Sequence, residues 1–266
     1  MSTFELALFA SDVAVVAEAV PAGVASVVVD WEHDGKEARQ AFADTEVNNH
    51  TVEHLRAIRA LTPAHVICRV NAFGPRTPEE VEQAVEGADE LLLPMVSTPE
   101  EVERTLALVD GRAGLGIIVE TRAAVAAADE LARLPLSRVY VGLNDLSIDR
   151  GTASIFAPLV DGTLDEVREC FAGVRFGFGA LTLPDAGSPI PCRLLLGELA
   201  RLRCDFTFLR RSFYRDVAGR DVAAEVARIH TAVGAAFARD DQAVVRDRSE
   251  LVERLAELGE RHATLV

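Results

Sequence analysis

The chain has 266 residues, with 27 basic and 42 acidic side chains and a formal net charge of −15. This charge argues against nucleic acid and anionic membrane surfaces as partners, because both attract positively charged proteins. Hydrophobic residues make up 49% of the chain, which excludes a disordered protein. No apolar run approaches the roughly 18 residues of a membrane span.

Two features predict a reduced compartment. Residues 1–5 lack the basic start and long apolar stretch of a signal peptide. The four cysteines form no CxxC pair, which is typical of an intracellular chain. We therefore expect a cytoplasmic protein.

Short apolar runs alternate along the chain with longer amphipathic segments. Most of these runs are apolar on both faces, as buried strands of a parallel sheet are. In chain order, the predicted strands are 6–10, 24–29, 66–70, 90–96, 114–119, 139–143, 176–181 and 206–209.

Helices are predicted between these strands. Thr77-Pro78 and Thr98-Pro99 each combine a capping residue, a proline at the first helical position and acids in the first turn. The other predicted helices are 121–134, which is alanine-rich and ends at a proline, 193–203 and 217–238.

Eight units of this kind predict a (β/α)8 TIM barrel, with an open doubly wound sheet as the alternative. We assign residues 1–240 to this catalytic domain. The polar stretch 34–47 and the Gly- and Pro-containing stretch 147–163 are predicted as rim loops, which often act as lids or substrate walls.

Residues 241–266 are predicted to form a C-terminal helical extension. Within 249–262, apolar side chains recur at helical spacing and need a surface to cover them. We expect a neighbouring subunit to provide it, so that the protein is a homo-oligomer; the alternative is a helix folded back on its own barrel. The apolar residues are Leu251, Val252, Leu255 and Leu258.

Polar residues follow four of the predicted strands. The C-terminal ends of parallel barrel strands share one rim, where TIM barrels carry their chemistry. Glu120 and Asp145 follow neighbouring strands and suit a hard cation, Mg²⁺ or Mn²⁺. Alternatively, each acid caps the following helix or pairs with an arginine.

Two further residues at this rim are predicted to act on a substrate. Arg69 is expected to hold a carboxylate or enolate oxygen, and a salt bridge to Glu32 or Glu120 is a compatible alternative. His33 is expected to transfer protons, because an ordinary histidine pKa of about 6.5 suits neutral pH. Asp30 or Glu32 would orient it; a surface histidine is the alternative.

Arg210-Arg211 follow the eighth predicted strand. The pair is a possible anion site, because barrel phosphate sites use the loops after strands seven and eight. A solvated pair is the alternative. The sequence has no dinucleotide-binding, Walker A, zinc-protease or nucleophile-elbow motif.

Five segments, in order over residues 24–150, resemble motifs of the HpcH/HpaI aldolase and citrate lyase β-subunit family, which belongs to the phosphoenolpyruvate/pyruvate barrel superfamily. They are Asp30-Trp31-Glu32-His33 (D-x-E-H), Arg69-Val70-Asn71 (R-V-N), Pro94-Met95-Val96 (P-M-V), Glu120-Thr121 (E-T) and Gly142-Leu143-Asn144-Asp145-Leu146-Ser147 (G-x-x-D-L-S).

The resemblance implies a metal-dependent carbon–carbon lyase, of the class II aldolase type, acting on a 2-oxo acid and an aldehyde. Glu120 and Asp145 would hold a divalent metal that binds a pyruvate unit, with Asn144 and Asp145 contacting the substrate. Arg69 would stabilise the enolate oxygen, and His33 would move a proton through a water. A homo-trimer or homo-hexamer that exchanges C-terminal helices is also implied.

Some positions depart from the aldolase pattern. Ile118 stands where aldolases carry Gln, and Val85 replaces the acid that partners their histidine. The acyl-CoA lyase branch is favoured by residues 36–39 and 69–74 and by a short connection before Glu120. That branch, however, carries Asp in place of His33. A citryl- or malyl-CoA-type lyase acting on a CoA thioester therefore stays open, as does an inactive barrel serving as a binding subunit.

Overall fold

The computed structural model describes residues 4–33, 50–152, 154–210 and 212–264. Parallel strands surround a central axis with helices between them, so the predicted TIM barrel is confirmed. The strands are β1 (Glu5–Phe9), β2 (Ser26–Asp30), β3 (His65–Arg69), β4 (Glu90–Leu93), β5 (Gly114–Val119), β6 (Arg138–Val141), β7 (Arg175–Phe178), β8 (Ala180–Leu181) and β9 (Phe206–Leu209).

The predicted seventh strand consists of two pieces, β7 and β8, which together close the barrel. The chain bends between them at Gly179, whose φ of +59° favours glycine. β7 pairs with β6 and β8 pairs with β9, while β9 pairs with β1. A Cβ on Gly177 would lie 2.4 Å from the carbonyl oxygen of Phe206, so glycine permits this close approach.

Helices connect the strands and cover the outside of the barrel. Thr98 caps α4 as predicted, whereas Thr77 is the first residue of α3. The helices are α1 (Val13–Ala19), α2 (Val52–Leu61), α3 (Thr77–Ala84), α4 (Pro99–Val109), α5 (Arg122–Ala126), α6 (Ala128–Leu131), α7 (Leu143–Arg150), α8 (Thr163–Cys170), α9 (Cys192–Arg201), α10 (Ser212–Asp216), α11 (Val222–Phe237) and α12 (Asp241–Thr264).

Three predictions of helix and loop were wrong in part. The predicted helix 121–134 is divided at Ala127, where the backbone leaves the helical region, because alanine content is only a weak prior. The predicted helix 217–238 corresponds to α11 alone, which begins at Val222 after a turn that follows α10. The predicted loop 147–163 contains the last turn of α7, where Arg150 and the left-handed Gly151 complete a helix end. A 3₁₀ turn follows at Ala157–Leu159. The other predicted loop, 34–47, lies outside the described residues.

The C-terminal helix α12 begins at Asp241, the first residue of the predicted extension, and lies against α9 of the same chain. Leu251 is fully buried there, and Leu255 and Leu258 pack partly against the core, whereas Val252 is 44% exposed. An ion pair from Arg248 to Glu198 of α9 adds to this packing. The helix therefore folds back on its own barrel within one chain, and its role between subunits stays a prediction.

A buried charge network, formed by Glu5, His65, Glu90 and Arg138, closes the N-terminal end of the barrel. Arg138 is 1% exposed and contacts Glu90 at 2.6 Å and Glu5 at 3.2 Å. Burial raises the pKa of Glu90, but the His65 hydrogen bond and the charge of Arg138 together lower it to about 2. A Cβ on Gly116 would lie 2.6 Å from Arg138 Cγ, so the network needs glycine there.

Two sequence expectations concern the whole chain. All four cysteines are free thiols, as predicted. No helix in the part of the chain that the structure describes has the length and apolar character needed to cross a bilayer.

Candidate active site at the C-terminal mouth of the barrel

Strand register directs several polar side chains toward the barrel axis at its C-terminal mouth. A small cluster that includes Val28, Ile67, Ile118 and Phe208 fills the interior. Side chains on one face of a strand recur every two residues. The interior face therefore continues, in the same order, into Asp30, Arg69, Glu120 and Arg210.

Arg69 is held by two carboxylates from the end of β2. Its Nε and Nη2 donate to the two oxygens of Asp30 at 2.8 and 2.7 Å, a bidentate pair. Its Nη1 lies 3.1 Å from Oε2 of Glu32. The guanidinium also lies over the ring of Phe9, 5.2 Å from its centroid. The salt bridge to Glu32 is thus present, while the stronger pair with Asp30 was not foreseen.

Glu120 is buried at the end of β5, among other carboxylates. Burial raises its pKa well above the ordinary range, and the charges of Asp145 and Glu32 raise it further. The backbone N–H of Met95, which donates to Oε1 at 2.9 Å, and the charge of Arg69 act in the opposite direction. The charges of Asp145 and Glu32 therefore act on Glu120 from close by, and the Arg69 guanidinium partly offsets them.

Asp145 and Asn144 lie in the first turn of α7, directly after β6, and not at the strand end itself. Both are half-buried. The turn brings Gly142 against Glu120: a Cβ on Gly142 would lie 2.5 Å from Oε2 of Glu120. The absence of a side chain at Gly142 therefore lets the Glu120 carboxylate take its position next to α7.

His33 lies at the edge of the group of acids around Arg69, and its described contacts are with Trp31 and Asn71. It follows Trp31, which packs in the outer core, so register places both on the outward face of the strand. Its Nδ1 lies 2.7 Å from the Trp31 carbonyl oxygen, and its backbone N–H donates to Asn71 Oδ1 at 3.0 Å. His33 lines a cavity of about 280 Å³ with Trp31, His50, Asn71 and Glu80, among others.

Asn71 connects the ends of β2 and β3 to α3. Besides accepting from His33, it donates from its backbone and side chain to Glu80 at 3.0 and 2.9 Å. Both of the contacts described for its side chain are thus with the protein itself. The role of Asn71 toward a substrate stays a prediction.

Comparison with known proteins identifies the family of this chain. The model of the family described as HpcH/HpaI aldolase/citrate lyase matches residues 6–155, more than half of the chain. The chain belongs to this family. A comparison with curated proteins found no match.

Solved structures of HpcH/HpaI proteins share the fold. A HpcH/HpaI aldolase/citrate lyase family protein from Burkholderia cenocepacia J2315 superposes with a TM-score of 0.60 at 18% identity, over 85% of this chain and 95% of that chain. The citrate synthase SbnG gives 0.58 at 19% identity, over 82% and 91%. A citrate lyase from Burkholderia xenovorans LB400 gives 0.60 at 13% identity, over 98% and 92%.

Members of the HpcH/HpaI family are known as divalent-metal-dependent lyases, so we tested whether the residues fit such an ion. Across the described ranges there is no group of three or more His, Cys, Asp or Glu side chains arranged to hold a metal. Mg²⁺ and Mn²⁺ need fewer, because Mg²⁺ is usually held by one or two carboxylates together with water and substrate oxygens. Burial raises the pKa of Glu120 and the charge of Asp145 raises it further, so a cation beside the two carboxylates would stabilise their ionised forms. The donor set therefore fits the ion.

Sequence reasoning missed two residues that the fold brings to this HpcH/HpaI site, Tyr140 and His50, which follow from strand pairing and helix packing. It named Asp30 as a partner of His33, whereas the carboxylate of Asp30 pairs with Arg69. His50 accepts from the backbone N–H of Asp30 at 3.0 Å, and the Tyr140 ring packs 4.2 Å from that of Phe208. The alternation of β6 could have predicted an inward Tyr140. Of the two predicted arginines, Arg210 is at the mouth, and Arg211 lies outside the described residues.

Proposed function

We propose that this protein is a metal-dependent carbon–carbon lyase of the class II aldolase type, which cleaves or forms a 2-oxo acid through the enolate of pyruvate. The observation that carries the proposal is the buried Glu120, which lies beside Asp145 and near a fixed Arg69 at the barrel mouth. Membership of a lyase family supports it. The family itself supports the broader assignment, a lyase of the aldolase or citrate lyase type.

Each residue has a distinct role in this proposal. Glu120 and Asp145 would hold Mg²⁺ or Mn²⁺, which when bound supplies Lewis acidity to a 2-oxo acid. Arg69, fixed by Asp30 and Glu32, presents positive charge where the enolate oxygen develops its negative charge. Its position costs no reorganisation during the reaction, because the two ion pairs exist beforehand.

His33 would move the proton. A carbonyl oxygen only accepts hydrogen bonds, so the contact with Trp31 requires that Nδ1 carries the hydrogen. Nε2 is then the nitrogen that accepts a proton. Since His33 is exposed and lies on the outward face of the strand, a water is needed between Nε2 and the reacting carbon.

The test is exchange of the pyruvate methyl hydrogens with D₂O in the presence of Mg²⁺ or Mn²⁺, followed by NMR. Exchange requires only enolate formation, so it does not depend on knowing the second substrate. We expect exchange by the wild type, and its loss in Asp145→Asn together with weaker Mn²⁺ binding by calorimetry. Asp149→Asn is the matched control, because Asp149 lies one turn later on α7, at the surface beside Arg122.

Two outcomes would contradict the assignment. Full metal affinity in Asp145→Asn would place the metal elsewhere. No exchange by the wild type, with either metal, would leave the acyl-CoA lyase or the inactive binding subunit as the better reading. The acyl-CoA lyase alternative takes some support from Ile118, an apolar residue that faces the barrel interior at the position where aldolases carry a polar Gln.

The remaining expectations belong to the same proposal. The small-molecule partners are a 2-oxo acid and an aldehyde, or a CoA thioester. A homo-oligomer, trimer or hexamer, is proposed from the exposed Val245 and Val252 of α12 together with the family resemblance. A cytoplasmic location is supported by four free cysteines.

A further inference from the structure

Two hydrogen bonds tie the end of β2 to the residues just before α2. The backbone N–H of Asp30 donates to Nδ1 of His50 at 3.0 Å, and the indole Nε1 of Trp31 donates to the Thr51 carbonyl oxygen at 3.2 Å. Asp30 is completely buried, and Trp31 is 6% exposed. The start of α2 therefore helps to fix the position of the last residues of β2.

His50 takes the place of a strand as the partner of Asp30. The last backbone hydrogen bond described between β1 and β2 runs from the Ala10 N–H to the Val28 carbonyl oxygen at 2.8 Å. Backbone groups two residues apart on a strand point to the same side, so the N–H of Asp30 also points toward β1. Since β1 ends at Phe9, the His50 ring supplies the acceptor at this level of the sheet.

This contact fixes the tautomer of His50. A backbone N–H only donates, so Nδ1 carries no hydrogen and Nε2 carries it. Burial lowers the pKa of His50 more than the charge of Asp30 raises it, and His54 lowers the pKa further, so the ring is neutral at pH 7. His33 is the opposite case. Its Nδ1 faces the Trp31 carbonyl oxygen, so a second proton on Nε2 leaves that contact intact.

Several charged groups surround the His50 ring. It lines the 280 Å³ cavity together with side chains from the end of β2 and from α2 and α3. The four carboxylates of this set outnumber its one arginine, so a positive charge on the ring can form as the pH falls. The charged and titratable groups are Asp30, His33, Glu53, His54, Arg76, Glu79 and Glu80.

The side chain of Asp30 connects this ring to the reacting site. Its two oxygens hold Nε and Nη2 of Arg69 at 2.8 and 2.7 Å, and Oδ1 also accepts from the Glu32 N–H at 3.1 Å. Protonation of His50 would place a hydrogen on Nδ1, directly opposite the Asp30 N–H. Two donors cannot bond to each other, and a buried N–H that loses its acceptor is costly, so Asp30 would move.

We propose that His50 is a positioning residue for Arg69, and that a proton gained by His50 at acidic pH breaks its hydrogen bond to Asp30 and displaces the Asp30–Arg69 pair. The guanidinium then no longer lies where the enolate oxygen develops its charge, so kcat falls. This inference rests on the proposed function for the role of Arg69 in the reaction, but the position of the guanidinium can be measured without turnover.

The first measurement is NMR of the full chain labelled with ¹⁵N at histidine and arginine. Long-range spectra report the tautomer and the titration of each of the six histidines, and the Nε–H signal of Arg69 reports its pair with Asp30. Arg69→Lys assigns that signal. We expect the Nε2–H form of His50 at neutral pH, and an Arg69 signal that moves along the His50 titration curve. In His50→Asn, whose Oδ1 can accept from Asp30 at any pH, the Arg69 signal should stay in place.

The second measurement is the rate of pyruvate hydrogen exchange. His50→Phe keeps a ring but no acceptor, so kcat should fall by about tenfold with little change in KM, and His50→Asn should restore it. The ratio of the wild-type rate to the His50→Asn rate should fall by about tenfold as His50 gains its proton. His33 titrates in both proteins, so its effect cancels in this ratio.

The control variant is His54→Asn, which removes an exposed histidine one turn further along α2 and keeps an acceptor for the Thr51 N–H. It should keep the coupling between the His50 titration and the Arg69 signal, with a higher His50 pKa because the charge of His54 is gone. Melting curves check that each variant is folded. If His50→Phe does not fold, the wild type and His50→Asn decide the question by themselves.

Three results separate the possibilities. An Arg69 signal that stays in place while His50 titrates would overturn the positioning role. A folded His50→Phe protein with the wild-type kcat would also overturn it. An Arg69 signal that follows His50, in a protein that exchanges no pyruvate hydrogens with either metal, would overturn the proposed reaction and keep the positioning role.

Discussion

Gly142→Ala is expected to impair the reaction while leaving the barrel folded. The added Cβ would lie 2.5 Å from Oε2 of Glu120, 3.0 Å from its Cβ and 3.0 Å from Cγ2 of Ile118. The backbone of Gly142, with φ −84° and ψ 98°, accepts alanine without strain. The effect therefore comes from side-chain collisions, the closest of them with Glu120, and not from backbone strain.

The size of the effect follows from these distances. An ordinary contact begins near 3.4 Å, so the Glu120 carboxylate must move by about 0.9 Å (3.4 − 2.5). A misplacement of about 1 Å can cost on the order of a hundredfold in rate. We expect methyl exchange of pyruvate in D₂O to fall by about that factor, and Mn²⁺ affinity by calorimetry to fall with it.

The matched control is Gly173→Ala, because no atom lies within 4 Å of a Cβ built at Gly173. That variant should exchange pyruvate hydrogens and bind Mn²⁺ as the wild type does. If a folded Gly142→Ala protein also keeps both properties, the reasoning fails, and Glu120 does not belong to the reacting site.

Four further predictions concern single changes elsewhere. Glu90→Gln should lower the free energy of unfolding in urea by about 3–5 kcal/mol, because it leaves buried Arg138 with less opposing charge. Because the pKa of Glu90 is lowered, its contribution to the free energy of unfolding is present above pH 4.5 and is lost as the pH falls toward 2. The variant should lose this pH dependence, and an unchanged acid-unfolding profile would refute the prediction. Arg69→Lys keeps the charge but not the planar fork, so kcat should fall more than substrate affinity; an unchanged kcat would indicate a purely structural ion pair. His33→Ala should remove the limb of the pH–rate profile near neutrality, and a retained limb would assign the role to another group. Truncation after Arg239 should reduce the number of subunits measured by light scattering, and an unchanged number would exclude an assembly role for α12.

Strand order and polarity at the strand ends could be read from the sequence because both are local. Apolar runs such as 114–119 and 206–209 coincide with β5 and β9, since buried parallel strands need side chains that are apolar on both faces. The same reading places Arg69 and Glu120 on one rim. It also anticipates the ion pair between Arg69 and Glu32, because neighbouring parallel strands end together.

The partners of these residues depended on tertiary structure. Arg69 pairs with Asp30 as well as Glu32 because β2 and β3 pair in a register that sets Asp30 opposite Arg69. The start of a helix decided the position of Asp145. Because α7 begins at Leu143, Asp145 lies in a helical turn near Glu120 and not at the end of a strand. Hydrophobic spacing predicted α12, but its ion pair with α9 comes from residues far apart in the chain.

The sequence alone therefore determined the barrel, the order of its strands and the polar residues at their C-terminal ends, because periodicity and strand polarity are properties of short segments. Only the tertiary structure decided that Glu120 needs the missing side chain of Gly142, and that the carboxylate of Asp30 holds the guanidinium of Arg69. The physical reason is closure of the barrel. Side chains from strands that are distant in sequence meet at the axis, and their distances, burial and charges exist only once the ring of strands has formed.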